Sequence, residues 1–87
     1  MAELIRQEVG GLLEREFNFE GALVTILDVI VSEDLLHATV KLGIIPKERG
    51  PEVFFRVQKR TREVNYEISR KLNIRPTPHI TFGIAEE

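Results

Sequence analysis

Few side chains in this sequence are placed to do chemistry, and most of them stand alone. Asp28 sits inside the otherwise apolar run ALVTILDVIVS. A catalytic carboxylate needs an acid or base partner, and no second carboxylate or histidine accompanies it at a useful spacing. The sequence favours a structural acid, hydrogen-bonded to a bulge or a turn. His37 and His79 fall on different extended segments. Two imidazoles alone make a poor metal set, so both read as strand-face histidines. Ser32 and Thr25 have no adjacent base to activate them. The segment GPEVFFRV lacks the glycine spacing of a phosphate loop. There is no cysteine, which excludes disulfides, thiolate catalysis and cysteine-ligated zinc or iron–sulfur centres. No catalytic residue, metal set, cofactor or small-molecule substrate is therefore expected.

Charge is the more informative signal. The net charge of −2 conceals a segregation. Residues 56–75 carry Arg56, Lys59, Arg60, Arg62, Arg70, Lys71 and Arg75 against only Glu63 and Glu67, while residues 1–55 are net acidic and the end adds Glu86 and Glu87. Phosphate binding follows local charge, not the total. The plain alternative is that the run is a solvated helix face. Placing residues 100° apart clusters Lys59, Arg62, Tyr66 and Arg70 opposite the apolar stripe of the same segment, with Glu63 and Glu67 to one side. Arg70 and Lys71 also suit a helix C-terminus, and Arg75 is placed to bond the last helix carbonyls.

The elements that must hold this row can be read from periodicity. The 87 residues make one domain, 1–87, of globular composition with 43% hydrophobic and 30% charged residues. Residues 2–17 read as a helix with Ile5, Val9, Leu12 and Leu13 on one stripe. Gly10 and Gly11 inside it each cost about 1 kcal/mol against alanine, so packing must help hold it. Asn18 and Gly21 mark its exit. Residues 22–32 have strand composition with apolar side chains on both faces, as in a central or a bulged strand. Residues 35–45 alternate, with Leu36, Ala38, Val40, Leu42 and Ile44 inward and His37, Thr39, Lys41 and Gly43 on the wetter side. The short Ser32-Glu33-Asp34 turn makes the two strands an antiparallel hairpin. Pro51 suits the first turn of a helix, and Val53, Val57, Thr61, Val64, Ile68 and Leu72 repeat helically over 51–72. Phe54 and Phe55 are adjacent and cannot both face the core. Asn73 ends that helix, Pro76 and Pro78 forbid its continuation, and residues 79–84 form a third strand. No apolar run reaches the length of a membrane span, and the start, MAELIRQEVGG, lacks signal-peptide order; a cytoplasmic protein without a membrane partner is expected.

Two stretches resemble a known family. Leu23 to Pro46, LVTILDVIVSEDLLHATVKLGIIP, is similar to the hairpin of ribosome-binding factor A, matching its pattern at Leu23, Val24, Thr25, Ile26, Asp28, Val29, Val31, Ser32, Asp34, Leu35, Ala38 and Val40. Leu72 to Phe82, LNIRPTPHITF, resembles the family's ending at Leu72, Arg75, Pro78 and Phe82. The first helix, with Arg6 and the run from Leu12 to Glu16, also fits. The resemblance implies an α+β fold: a single KH-like domain related to type II, αββαβ, with helices packed on one face of a three-stranded sheet and the 51–72 helix kinked. It implies a non-catalytic assembly factor that binds the maturing small ribosomal subunit and its ribosomal RNA, with a link to growth in the cold. The candidate RNA-binding residues are then Arg56, Lys59, Arg60, Arg62, Tyr66, Arg70, Lys71 and Arg75, on a monomer. Cations neutralise phosphates, and a tyrosine can stack on an unpaired base.

The sequence departs from the family pattern at the kink. The family's Ala-x-Gly element falls on Arg60-Thr61-Arg62, and no glycine occurs between Pro51 and Phe82. A bend without glycine, or a straighter helix, is expected. The chain also ends at Glu87, before the C-terminal tail that many members carry. The missing Gly-x-x-Gly loop and the negative total charge motivate an alternative, a KH-like protein–protein interaction module that does not touch RNA.

Overall fold

The computed structural model describes residues 1–85, which leaves Glu86 and Glu87 outside the described residues. The elements run α1 (Ala2–Glu16), β1 (Leu23–Val31), β2 (His37–Ile45), a 3-10 turn (Lys47–Arg49), α2 (Gly50–Lys59), α3 (Thr61–Leu72) and β3 (His79–Ile84). The sheet order is β1-β2-β3. β1 and β2 form the antiparallel hairpin, and β2 and β3 are parallel. Parallel pairing requires a crossover, and α2 with α3 supplies it.

One face of the sheet carries the core. Ala38, Val40, Leu42 and Ile44 of β2 and Ile80 and Phe82 of β3 are buried against Ile5, Val9, Leu12 and Leu13 of α1. Val53, Val57, Val64 and Ile68 complete the core, so the helical repeat read over 51–72 is the buried stripe of α2 and α3. Each such side chain contributes about 1.5–3 kcal/mol when removed from water. A Cβ at position 10 would lie 3.8 Å from Ile26 Cδ1, an ordinary contact distance, so α1 packs on β1 here without needing a glycine.

β1 is an edge strand, not a central one, and its two-faced apolar pattern comes from a bulge. Ile26 pairs with Leu42 and Asp28 with Lys41, which leaves Leu27 as the extra residue. Val24 and Ile26 pack against the core before it, Val29 and Val31 after it, so the inward parity switches. Asp28 holds the bulge, its Oδ1 accepting the Val29 N–H at 2.9 Å. Arg6 Nη1 donates to the Ile26 carbonyl at 2.7 Å and ties α1 to the same point.

The hairpin turn is longer than its sequence suggested. β2 starts at His37, and Leu36 is 43% exposed ahead of it. Asp34 Oδ1 accepts from the Ser32 hydroxyl and the Leu36 N–H, and the Ser32 hydroxyl oxygen accepts the His37 N–H. These bonds hold Leu35 in the left-handed region at φ 63°. Among the described residues, no helix is long and apolar enough to cross a membrane.

Candidate nucleic-acid interface

The buried stripe of α2 and α3 fixes their opposite side toward solvent. Phe55, Lys59, Arg62, Tyr66 and Arg70 are all exposed on it, at spacings of four, three, four and four residues. Within each helix that spacing keeps side chains on one face, Phe55 with Lys59 on α2 and Arg62 with Tyr66 and Arg70 on α3. Phe54 turns inward against the core while Phe55 is 62% exposed, which settles how the two adjacent rings divide. Within the row Lys59 Nζ lies 5.3 Å from the Phe55 ring centroid and the Arg70 guanidinium 5.6 Å from that of Tyr66.

The segment does bend, and it bends without glycine. Arg60 interrupts the helix at φ −109°, ψ 17°, a conformation open to any L-residue. Its N–H bonds the Val57 carbonyl at 3.1 Å, tightening the last turn of α2, and the Thr61 hydroxyl donates to the same carbonyl. α3 restarts with the Val64 N–H on the Arg60 carbonyl. At its far end Asn73 closes α3 in the left-handed conformation, φ 53°.

The basic residues from 49 to 75 divide into two groups. Arg49, Arg56 and Arg60 reach back to the end of α1 and the segment that follows it. Their Nη1 atoms donate to the carbonyls of Glu20, Asn18 and Glu16 at 2.7, 2.9 and 2.8 Å. Arg49 ends the 3-10 turn and Arg56 and Arg60 lie on and just after α2, so three guanidinium groups meet three carbonyls between the end of α1 and the turn at Glu20. The acids reinforce this clasp. Glu52 pairs with Arg49 and Arg56, Glu20 with Arg56, and Glu16 and Glu63 with Arg60. Arg60 also stacks over Phe17, 4.5 Å from its centroid. The hydrogen bond to Arg49 holds the Glu52 carboxyl below its ordinary value and raises the Arg49 guanidinium.

Lys59, Arg62, Arg70, Lys71 and Arg75 form the second group. Among the described residues they make no ion pair, and all five are exposed. Glu63 and Glu67 line a hollow with Leu12, Glu16 and Phe17 of the α1 end, and Tyr66 borders it. The acids therefore flank the row on the α1 side without interrupting it, and Glu63 is taken up by Arg60. Arg56 and Arg60 lie beside the row with their guanidinium groups engaged by the chain itself.

Two placements were not legible beforehand. Parallel register sets His37 directly beside His79, both exposed, although the sequence separates them widely. Among the described residues, no group of three or more His, Asp or Glu side chains is arranged to hold a metal ion. Asn65 docks α3 on β3: its Nδ2 donates to the Ile80 carbonyl at 3.0 Å and its Oδ1 accepts the Ile80 N–H at 2.6 Å. A single asparagine beside the buried Val64 gave that role no distinct signal.

The sequence profile of the family described as Ribosome-binding factor A matches residues 1–87, the whole chain. The chain belongs to the ribosome-binding factor A family. The ribosome-binding factor A of Akkermansia muciniphila is 32% identical over 82 residues, covering 94% of this chain and 66% of that protein. That of Chloroherpeton thalassium is 36% identical over 73 residues, covering 83% and 58%. The chain thus spans about three-fifths to two-thirds of the length of these ribosome-binding factor A proteins. Two Thermus thermophilus structures share the fold. A ribosome binding factor A homology model fitted into the cryo-EM map of its 30S complex superposes with a TM-score of 0.77 at 17% identity, covering 97% of this chain and 93% of that one. The crystal structure of a ribosome-binding factor A from the same species gives 0.66 at 20%, covering 95% and 86%. The family fold is α+β and KH-like, and here the kinked pair α2–α3 makes the order αββααβ.

Proposed function

We propose that this ribosome-binding factor A chain binds the maturing small ribosomal subunit through its ribosomal RNA, as a monomer in the cytoplasm, without catalysing a reaction. The contact surface is the outward face of α2 and α3, led by Lys59, Arg62, Tyr66 and Arg70 and extended by Lys71 and Arg75. One observation carries the reading: these cations are exposed, lie on or beside one face, and are left without ion partners among the described residues, while the other arginines of the segment are spent on the clasp. Exposed cations in a row gain from phosphate because each contact releases condensed counterions. Arg56 and Arg60 join the surface through their positions, with their hydrogen bonds directed inward.

Co-sedimentation with small subunits across a salt series tests this. The double variant Lys59→Glu with Arg70→Glu should abolish binding, and each phosphate contact removed singly should lower the salt slope by about 0.7–1. Undiminished co-sedimentation of the double variant would show that another surface binds.

A protein-interaction module is the second reading, and a different observation favours it. The sheet face away from the helices exposes Leu23, Leu27, Ile30 and Ile45. Exposed apolar patches mark partner surfaces. That reading expects a protein partner retained at high salt and after RNase treatment; loss of every partner to RNase removes it.

A further inference from the structure

The row contains two aromatic rings as well as cations, and their setting goes beyond phosphate neutralisation. Phe55 and Tyr66 are 62% and 60% exposed, although large rings gain more from burial than almost any other side chain. Each stands beside a cation of the next turn, Lys59 or Arg70. Arg62 falls between them in sequence, one turn before Tyr66. The order is ring, cation, cation, ring, cation, and no acid interrupts it. Tyr66 follows Phe55 by eleven residues, at most about 16 Å of helical rise because the path bends at Arg60. Glu63 and Glu67 border Tyr66 on the α1 side, so a phosphate chain is favoured on the other side, past Arg62 and Arg70.

We infer that this stripe recognises unpaired nucleotides, with Phe55 and Tyr66 as two stacking platforms and Lys59, Arg62 and Arg70 holding the phosphates between and beside them. The inference rests on the RNA-binding reading above and specifies which form of RNA the surface takes. Bases in a duplex are stacked on one another, and the A-form major groove is too deep and narrow for side chains to read. A free ring face is useful only to a base that has left the stack. Cationic tracks interleaved with rings are the general means of holding a single strand, and such stacking tolerates any base because every base has a π-face.

The chain carries its own probe. Tyr66 is the sole tyrosine and there is no tryptophan, so tyrosine emission reports on this site alone. The full chain is titrated with an unstructured RNA of about twelve nucleotides, and separately with a blunt RNA duplex of equal length, while labelled-RNA anisotropy records binding. The single strand should quench Tyr66 emission in step with anisotropy, and the duplex should bind more weakly and leave emission unchanged. Phe55→Ala and Tyr66→Ala should each weaken single-strand binding by about five- to a hundredfold with the salt slope preserved. Tyr66→Phe should keep the affinity, because the ring and not the hydroxyl stacks. Both rings are exposed, and unchanged thermal melts will show that the variants fold.

Single-strand binding with constant emission and full affinity in both alanine variants would overturn the stacking inference and leave the RNA-binding surface standing. Equal affinity for duplex and single strand would overturn it as well. No binding to either RNA would remove the RNA-binding reading and this inference with it. If the alanine variants instead lose a protein of the subunit in RNase-treated pull-downs while RNA affinity is unchanged, the rings are a protein contact and the inference is wrong.

Discussion

Arg60→Ala is expected to destabilise the fold by about 2 kcal/mol and to weaken RNA binding without changing its salt dependence. The figure follows from what the side chain touches. Its Nη1 donates to the Glu16 carbonyl at 2.8 Å. A hydrogen bond from a charged donor is worth about 1.5–3 kcal/mol when well shielded, and this side chain is 35% exposed, so about 1 kcal/mol is appropriate. The pairs with Glu63 at 3.0 Å and Glu16 at 3.8 Å are surface ion pairs, together worth under about 1 kcal/mol. The cation over Phe17 adds about 0.5–1 kcal/mol. For a domain of this size, 2 kcal/mol lowers Tm by roughly 8–16 °C.

The second half of the prediction separates a clasp from a contact. Arg62→Ala provides the comparison, because Arg62 is exposed and makes no ion pair among the described residues. It should leave Tm nearly unchanged, within about 0.5 kcal/mol, and lower the salt slope by about 0.7–1. Arg60→Ala should do the reverse: a lower Tm, weaker binding through a loosened bend, and an unaltered slope. Thermal melts by circular dichroism and RNA affinity from 50 to 300 mM salt, about the range in which counterion release is measured, supply both readouts. A variant at Arg60 with wild-type stability and a reduced slope would refute the assignment and make Arg60 a phosphate contact.

Asn65→Ala removes both bonds to Ile80 at the β3 edge; it should cost about 1–3 kcal/mol, read as a lower urea midpoint, and an unchanged midpoint would mean that water replaces the amide. Leu35→Asn should stabilise by about 0.5–1 kcal/mol, because asparagine tolerates the left-handed conformation that leucine holds at φ 63°; a lowered Tm would show that the exposed leucine packs more than its backbone costs. Acid should unfold the protein partly through Asp34 and Glu52, which hydrogen bonds from Ser32 and Arg49 hold below their ordinary values of 3.8 and 4.5. A carboxyl depressed in the folded state stabilises above its unfolded pKa, and that share is lost as pH falls below about 4. Asp34→Asn and Glu52→Gln should therefore flatten stability against pH in this range, and curves parallel to wild type would contradict the assignment.

Much of the architecture was legible because it is periodic. The stripe from Val53 to Ile68 predicted the buried face of α2 and α3, and so also the exposed face opposite. Asn73 and the prolines ended the helix where they should, since their constraints are local. What escaped was non-local or a matter of register. The Leu27 bulge switches parity, and a two-faced apolar run can equally mean a strand covered on both sides. The neighbouring of His37 and His79 depends on parallel register, which no spacing encodes. The basic row was legible as a row, but its division was not: an arginine that clasps the Asn18 carbonyl and one that faces solvent look alike until the chain folds.

That division explains how the bend survives without a glycine. The backbone at Arg60 needs no left-handed conformation, so it does not call on the freedom that only glycine has. It needs a reason to break the helix there, and side chains provide it. The Thr61 hydroxyl occupies the Val57 carbonyl, and Arg60 draws the junction onto the end of α1. Arg60 turns inward at the break, while Arg62, one turn before Tyr66 on α3, is exposed. Two arginines at the family's small-residue element are then not a loss of the motif. Arg60 ties the bend to the end of α1 through the Glu16 carbonyl, and Arg62 stays exposed without an ion pair among the described residues.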